Sequence, residues 1–203
     1  SFVWGGGTNH PTLAAVKPTK AVSGIAAWYG EGLWSGIPVF TQSNIKMKST
    51  ATSLSPSISG GKTTNYAIAY DGYFLATQEG AYTFKATSDN AVRIWIGGNL
   101  MADQNSMDPG ESVTFSVVLA KGYHHLRVNY MHGASGTPKL DLTVSGPGLS
   151  GGAIPGTSLF REATWTFADD PYFLSTSSLG LEYRYYQGAW TKLPNFDSLT
   201  PIR

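Results

Sequence analysis

Cysteine is absent from this chain of 203 residues, and charged residues are scarce. The lack of cysteine excludes disulfides, thiolate-bound zinc and a thiol nucleophile. Charged residues make up 13% of the chain, about half the usual share in globular proteins. The formal net charge of +1 gives no electrostatic basis for binding nucleic acid or an acidic membrane surface. We therefore predict that nucleic acid is not a partner.

Long apolar runs and helical periodicity are also missing from the sequence. No run approaches the roughly 18–20 residues of a transmembrane helix, so no membrane span is predicted. The 24 Gly, 11 Pro and 13% aromatic residues are typical of short strands joined by many turns. Ser, Thr and Gly in place of Lys and Glu favour an extracellular location, secreted or at the cell surface. A first residue of Ser1 and the lack of a secretory apolar segment predict a mature or trimmed fragment.

The strongest structural signal is a pair of aromatic and β-branched segments at residues 81–87 and 91–96. Both alternate apolar with polar or small residues, which is the period of a half-buried strand. The polar connection formed by Ser88, Asp89 and Asn90 predicts that the two segments form a β-hairpin.

Other strands are predicted from the same alternation, and the polar stretches between them predict turns and loops. We expect a strand in residues 65–75 that ends at Asp71-Gly72, and a long surface excursion at residues 43–62. Further strands are predicted at residues 112–119, 124–131 and 139–145. The expected fold is therefore all-β, an antiparallel two-sheet sandwich or barrel.

An internal repeat sets the predicted domain organisation. The segment 24–40 aligns without gaps on the segment 180–196, with Gly, Tyr, Gly, Trp, Pro and Phe at matching places. The predicted units are a linker or the tail of a preceding unit at 1–21, a sandwich at 22–160, a linker at 161–179, and the opening strands of a second copy at 180–203. We expect the second copy to pair with a neighbouring module. Its predicted assembly residues are Tyr183, Tyr185, Trp190 and Phe196.

Several ordered motifs together resemble a known family. These are YDGYF at 70–74, GAYTF at 80–84, SDNAVRIWIGG at 88–98, GYHHLRVNY at 122–130 and GPG at 146–148. As a set they resemble the PA-fourteen domain, the β-barrel module first described in anthrax protective antigen. The resemblance implies an antiparallel β-sandwich that is usually extracellular and occurs in adhesins, glycosidases and toxins.

The resemblance also implies a ligand site. In yeast-adhesin members, adjacent aspartates in the loop that matches residues 88–90 hold calcium, and a second loop that matches residues 132–138 adds an asparagine. That calcium binds sugar hydroxyls directly. Here the pair is Asp89-Asn90, and the second loop has neither an acid nor Asn. Two interpretations stay open. One is a site for calcium and sugar; the other is that Asp89 and Asn90 are ordinary loop residues whose side chains bond to the backbone. The small number of ligands favours the second interpretation.

The candidate ligand-binding residues are Ser88, Asp89, Asn90, His132 and Ser135, with Asp89 as the ligand of a calcium ion. No pair of carboxylates with glycosidase spacing and no nucleophile-elbow motif is found, so no catalytic residue and no enzymatic activity are predicted. Flat rings at loops and strand ends could stack on sugars or on a neighbouring subunit, although packing is favoured for Trp28 and Trp34. The tryptophans considered are Trp4, Trp28, Trp34, Trp165 and Trp190.

The leading hypothesis for function is a non-catalytic extracellular module of a tandem-repeat surface or filament protein. It would act in adhesion or assembly, with neighbouring copies as partners. The alternatives are a carbohydrate-binding lectin module, with or without calcium, and an accessory domain of a glycosidase or toxin.

Overall fold

The computed structural model describes residues 11–58, 60–105 and 112–167, and these residues form an all-β architecture. The strands are β1 (Ala21–Ser23), β2 (Ile25–Glu31), β3 (Met47–Ala51), β4 (Tyr66–Ala76), β5 (Gly80–Ser88), β6 (Val92–Ile96), β7 (Asn99–Gln104), β8 (Ser112–Leu119), β9 (Gly122–His132), β10 (Leu140–Ser145) and β11 (Leu159–Glu162). One 3-10 turn, Gly156–Ser158, precedes β11. The strands form two antiparallel sheets, which confirms the predicted fold class.

The larger sheet is organised around β4. Its order is β1-β11-β4-β9-β6-β7, and β2 lies beside β4 with β3 next to it. On one side β4 pairs with β9 along its whole length. On the other side its first half pairs with β2 and its second half with β11. A Cβ on Gly72, at the point where the partner changes, would overlap the Phe160 carbonyl oxygen, so only glycine allows both strands to approach β4 here.

The smaller sheet, in the order β10-β5-β8, packs on the inner face of the larger sheet. Alternate residues of β5 enter the core, as the period of two requires; these are Tyr82, Phe84 and Ala86. The same alternation sends Ile68 of β4, Ile94 of β6 and Val128 of β9 into the core from the opposite side. All six residues are fully buried.

The predicted hairpin between residues 81–87 and 91–96 is wrong. β5 pairs with β8 and β10 in the smaller sheet, whereas β6 pairs with β9 and β7 in the larger sheet. Residues 88–90 therefore cross from one sheet to the other. The alternation of apolar residues determines which face of each strand is buried, but it does not determine which strand lies beside it.

Two other local predictions need correction. Asp71-Gly72 does not end a strand, because β4 continues through both residues to Ala76. The stretch 43–62 is not only a surface excursion, because it contains β3, which pairs with β2. Its sequence MKSTA has no apolar alternation, since this edge strand buries little of either face.

Residues 52–58 and 60–62 are anchored to the inner face of the larger sheet by tyrosine hydroxyls. The Tyr70 hydroxyl donates to the Ser55 carbonyl at 2.6 Å, and the Tyr66 hydroxyl donates to the Pro56 carbonyl. The Lys62 N–H donates to the Tyr29 hydroxyl at 2.6 Å. These bonds close the part of the sandwich beside β2 and β4.

Part of the predicted linker 1–21 contacts the sandwich. Leu13 bridges to Leu119 of β8, and Val16 bridges to Tyr123 of β9. The predicted domain boundaries themselves stay predictions, and the segment 180–203 lies outside the described residues. Among the residues that are described, none belongs to a helix with the length and apolar character needed to cross a bilayer.

Candidate functional site

The crossover at residues 88–90 places the predicted ligand loop beside the end of β9 and the loop that follows it. The Asp89 N–H donates to the Lys139 carbonyl at 3.1 Å. The Met131 N–H donates to the Ala91 carbonyl at 3.0 Å. These backbone bonds fix the crossover on both sides, so its three polar side chains have defined neighbours.

The carboxylate of Asp89 is the centre of this site. Its Oδ1 accepts hydrogen bonds from the Tyr130 hydroxyl at 2.5 Å and from the Lys139 N–H at 2.7 Å. Its Oδ2 lies 2.5 Å from Nδ1 of His132. The Asp89 side chain is only 12% exposed and that of His132 is fully buried. Both carboxylate oxygens are thus engaged by protein donors in a site with little solvent.

The other predicted residues divide into two groups. The Ser88 hydroxyl donates to the Asn90 carbonyl at 2.6 Å, and the Asn90 Oδ1 accepts from the Gly133 N–H at 2.8 Å. The structure therefore brings Ser88 and Asn90 together with Asp89 and His132. Ser135 is not part of this arrangement, because it lies exposed in the loop after β9.

Two tyrosine hydroxyls at or near the site have raised pKa values and so keep their protons. Burial raises the pKa of Tyr130 far above its ordinary value, and the hydrogen bond to Asp89 raises it further. Burial raises the pKa of Tyr66 to about 12. The Tyr66 ring lies 5.4 Å from the His132 ring. Both phenols remain neutral donors at physiological pH: the Tyr130 hydroxyl donates to the Asp89 carboxylate and the Tyr66 hydroxyl to the Pro56 carbonyl.

The arrangement does not fit the calcium ion that the family resemblance implies. Calcium takes six to eight oxygen ligands, and its affinity rises with the number of carboxylates. Here both Asp89 oxygens and the Asn90 Oδ1 accept hydrogen bonds from the protein itself. Within the described part of the chain, no group of three or more acidic or histidine side chains is placed to hold a metal. Asp89 as a calcium ligand stays a prediction, and the geometry favours the loop held by protein donors.

A second polar cluster, which the sequence reasoning missed, lies on the outer face of the larger sheet, with Asp71 and Arg127 buried. Oδ1 of Asp71 lies 2.6 Å from Nε2 of His125, and Oδ2 lies 3.8 Å from Nη1 of Arg127. The Trp165 ring stacks on His125, and Phe167 lies under the Arg127 guanidinium at 5.1 Å. Because successive side chains of a strand face opposite sides of the sheet, Asp71 must face away from the core side that Tyr70 occupies, and this alternation could have revealed the cluster. Aromatic side chains thus cover part of the cluster, and the His125 side chain remains 34% exposed.

The tryptophans have mixed environments. Trp28 is buried against Trp165 and Phe167, which confirms the packing role predicted for it. Trp34 is partly buried and packs against the backbone of Gly32, where a Cβ would lie 2.6 Å from the indole ring. The other aromatic residues predicted for stacking or assembly lie outside the described residues: Trp4, Tyr183, Tyr185, Trp190 and Phe196.

The two packed antiparallel sheets define a β-sandwich. A family model described as the PA14 domain matches residues 21–152. The match covers more than half of the chain, so this chain belongs to the PA14 domain family. No curated protein matches the chain in sequence.

Solved structures share the fold. The PA14 domain of the MpAFP antifreeze protein is 19% identical with a TM-score of 0.57, and the alignment covers 72% of this chain and 95% of that one. An Epithelial Adhesin 9 A domain from Candida glabrata, solved in complex with Galb1-3GlcNAc, is 12% identical with a TM-score of 0.55, covering 77% and 97%. An anti-sigma factor domain-containing protein from Clostridium clariflavum is 18% identical with a TM-score of 0.58, covering 73% and 50%. This chain thus spans about half the length of that protein.

Proposed function

We propose that this chain is a non-catalytic, extracellular binding module that acts in adhesion or assembly, and that its binding does not need calcium. Its partners would be neighbouring modules of the same protein, as in a surface or filament protein with repeats. The recurrence of the segment 24–40 at 180–196 supports this proposal. Membership of the PA14 family supports the binding role, because the similar structures include adhesin domains.

The observation that carries the proposal is the complete engagement of the Asp89 carboxylate. Tyr130, His132 and the Lys139 N–H supply its hydrogen bonds. A loop that is held by the donors of its own chain keeps its shape without a metal ion. Any surface that the loop presents is therefore available in the absence of calcium.

The buried carboxylates support a non-catalytic role. Asp71 is held by His125 and Asp89 by Tyr130 and His132. A hydrolase would need two carboxylates that face a substrate across a cleft. Carboxylates with these internal partners stabilise the fold.

A second candidate function is recognition of a glycan. It is favoured by the adhesin structures of the same fold, which were solved with galactosides. For this chain the candidate requires a sugar site without calcium.

An adhesion assay tests the proposal. Beads that carry the purified chain would be applied, in the presence of a chelator, to surfaces coated with the same chain or with neutral glycans. We expect retention on at least one surface, unchanged when calcium is added. Retention only with calcium, or on neither surface, would contradict the proposal.

A further inference from the structure

The outer edge of β8 is a strand edge that the described part of the chain leaves largely open. β8 (Ser112–Leu119) lies at one end of the smaller sheet, where β5 pairs with it along its whole length. On its other side, the described residues supply a single contact rather than a strand. The Leu13 N–H donates to the Val118 carbonyl at 2.8 Å, and the Leu13 carbonyl accepts from the Ala120 N–H at 3.0 Å.

The contact with Leu13 shows which backbone groups of β8 point outward. Successive residues of a strand direct their N–H and C=O groups to opposite sides, so alternate residues before Val118 also point outward: Ser112, Thr114 and Ser116. The ladder with the N-terminal stretch cannot extend to them, because its next donor would be the N–H of residue 11. That residue is Pro11, which has no N–H.

The other sheet edges each carry a feature that hinders pairing with another chain. β1 is only three residues long, β3 contains Lys48, and the register of β7 shifts beside β6. β10 is covered by the stretch that follows it, since the Val144 N–H donates to the Gly152 carbonyl at 2.8 Å. β8 has no such feature, because it is eight residues long, lacks charge and proline, and keeps an unbroken register with β5.

The side chains of β8 alternate between an exposed and a core-facing row. The exposed row consists of Ser112, Thr114 and Ser116. In the core-facing row, Val113 and Phe115 are only partly buried, although the Phe115 ring stacks on Phe84 at 5.4 Å. A core-facing side chain of an edge strand has a neighbouring strand on one side only. A further strand beside β8 would cover the other side of this row.

A second β8 fits this edge in one antiparallel register. With Thr114 opposite its own counterpart, Ser112 lies opposite Ser116, and every outward position becomes a hydrogen-bonded pair. Phe115 then lies opposite Val113 of the second copy, and an aromatic residue opposite a β-branched one is a favourable cross-strand pair. A shift by two residues would either run past the start of β8 or meet the N-terminal stretch that already bonds to its end.

The charge distribution favours a second copy as the occupant of this edge. β8 carries no charged residue, so pairing with itself opposes no like charges, whereas a charged peptide would find no counter-charge on the strand. Lys85 of β5 lies opposite Thr114 and is exposed. The two Lys85 residues of a pair would be three strand spacings apart, about 14 Å, which exceeds the Debye length of about 8 Å at physiological salt.

We propose that two copies of this chain pair through β8, so that their three-stranded sheets join into one continuous antiparallel sheet. The proposal rests on the assembly form of the proposed function and names the surface that carries it. About six main-chain hydrogen bonds would form. Such a contact is small, so the pairing is reversible, and copies that are displayed together on a surface would add avidity.

Sedimentation equilibrium of the whole chain, from about 10 μM to about 1 mM, tests the pairing. We expect a dimer whose fraction rises with concentration. Thr114→Lys should raise the dissociation constant at least about tenfold, because the two lysines would face each other across the two-fold axis. Ser145→Lys places the same charge at an exposed position on the far edge of the same sheet, and it should leave the dissociation constant unchanged.

Amide hydrogen exchange of the parent chain tests the register without any substitution. The Thr114 and Ser116 N–H groups should exchange more slowly at high protein concentration, because the second copy accepts their hydrogen bonds. The Phe115 N–H points towards β5 and should be protected at every concentration. A dimer in which exchange at Thr114 and Ser116 does not depend on concentration would overturn the proposal.

The outcomes separate this proposal from the broader function. A chain that stays monomeric at about 1 mM, or a Thr114→Lys variant that dimerises as strongly as Ser145→Lys, overturns pairing through β8. If beads that carry the chain still adhere to the same chain in that case, the assembly role stands and uses another surface. Weaker bead adhesion for Thr114→Lys than for Ser145→Lys, at equal thermal midpoints, would support β8 as the assembly surface.

Discussion

At the scale of single residues, the Asp89 side chain has three hydrogen-bond partners outside its own loop: two on β9 and one on the loop before β10. Its side chain is 12% exposed, so water does not replace these partners easily. A buried carboxylate with donors on both oxygens is stabilising only while every donor remains in place.

Asp89→Asn is predicted to lower the free energy of unfolding by about 2–4 kcal/mol, because the amide nitrogen would face a donor and the charge that holds the donors would be lost. Urea denaturation measures this change. The matched control is Asp141→Asn, whose side chain is 62% exposed and 3.5 Å from Lys139, and it should cost at most about 1 kcal/mol. Equal decreases in the free energy of unfolding for both variants would show that the Asp89 network is no more stabilising than an exposed ion pair.

Gly72 has a different kind of importance, since it lies where β2 and β11 share the edge of β4. Gly72→Ala should destabilise the chain by at least about 2 kcal/mol, because the added methyl overlaps the Phe160 carbonyl oxygen and the strand cannot shift freely. Thermal or urea unfolding checks it. Gly136→Ala is a useful comparison, because nothing lies within 4 Å of that Cβ although φ is +96°, and it should cost about 1 kcal/mol. If Gly72→Ala unfolded at the same midpoint as the parent protein, the claim that Phe160 leaves no room for a Cβ at this position would be disproved.

At the scale of elements, residues 52–58 and 60–62 depend on tyrosine hydroxyls more than on strand pairing. Tyr70→Phe removes both bonds to Ser55, one donated at 2.6 Å and one accepted at 3.2 Å. We expect faster amide exchange in residues 52–58 and 60–62, and a decrease of about 1–2 kcal/mol in the free energy of unfolding. Tyr123→Phe, at a tyrosine whose ring packs on Phe160, should leave exchange in this segment unchanged. Identical exchange in both variants would contradict the anchoring role.

The same tyrosines predict a dependence on alkaline pH. Burial raises the pKa of both Tyr66 and Tyr70 to about 12, above the ordinary value near 10. Their protonation contributes fully to the free energy of unfolding below about pH 10. That contribution is lost as the pH rises towards 12, because the unfolded state releases these protons first. The free energy of unfolding should fall by up to about 1.4 kcal/mol per pH unit for each tyrosine.

Urea unfolding at pH 8, 10 and 11 measures this slope. The double variant Tyr66→Phe with Tyr70→Phe is the control, and it should lose stability less steeply with pH. A parent protein with the same slope as the double variant would contradict the assignment.

The sequence was a good guide to the strands with alternating apolar residues and a poor guide to their neighbours. β5, β6, β8 and β10 were located from alternation and turns, and the residues that face the core follow from the same pattern. The predicted pairing of β5 with β6 was wrong. A short polar connection can form either a hairpin or a crossover between two sheets, so the sequence of the connection does not distinguish them. The edge strand β3 was missed because its polar sequence has no apolar period.

The candidate site was predictable in part. Ser88, Asp89, Asn90 and His132 do lie together, and family resemblance was the signal that selected them. Tyr130 and the Lys139 N–H were missed, since nothing in the sequence says which hydroxyl or backbone group reaches across the sandwich to a carboxylate. The position of Tyr130 two residues before His132 on one strand face was the available clue.

At the scale of the whole molecule, two sheets with their own polar networks form a β-sandwich of the PA14 family. The Asp89 network closes the crossover between the sheets, and the Asp71 cluster closes the outer face of the larger sheet. The absence of a need for calcium is the central claim, because it separates this module from calcium-dependent sugar binding.

The most direct test is calorimetric titration of calcium into the chelator-stripped chain, with the thermal midpoint followed in the same samples. We predict no binding heat and a midpoint that changes by less than about 1 °C at 1 mM calcium, because the Asp89 oxygens are already occupied. A site with a dissociation constant near 10 μM would add about 2.7 kcal/mol at that concentration and raise the midpoint by several degrees. Such a rise, together with its disappearance in Asp89→Asn, would contradict the account and make Asp89 a calcium ligand.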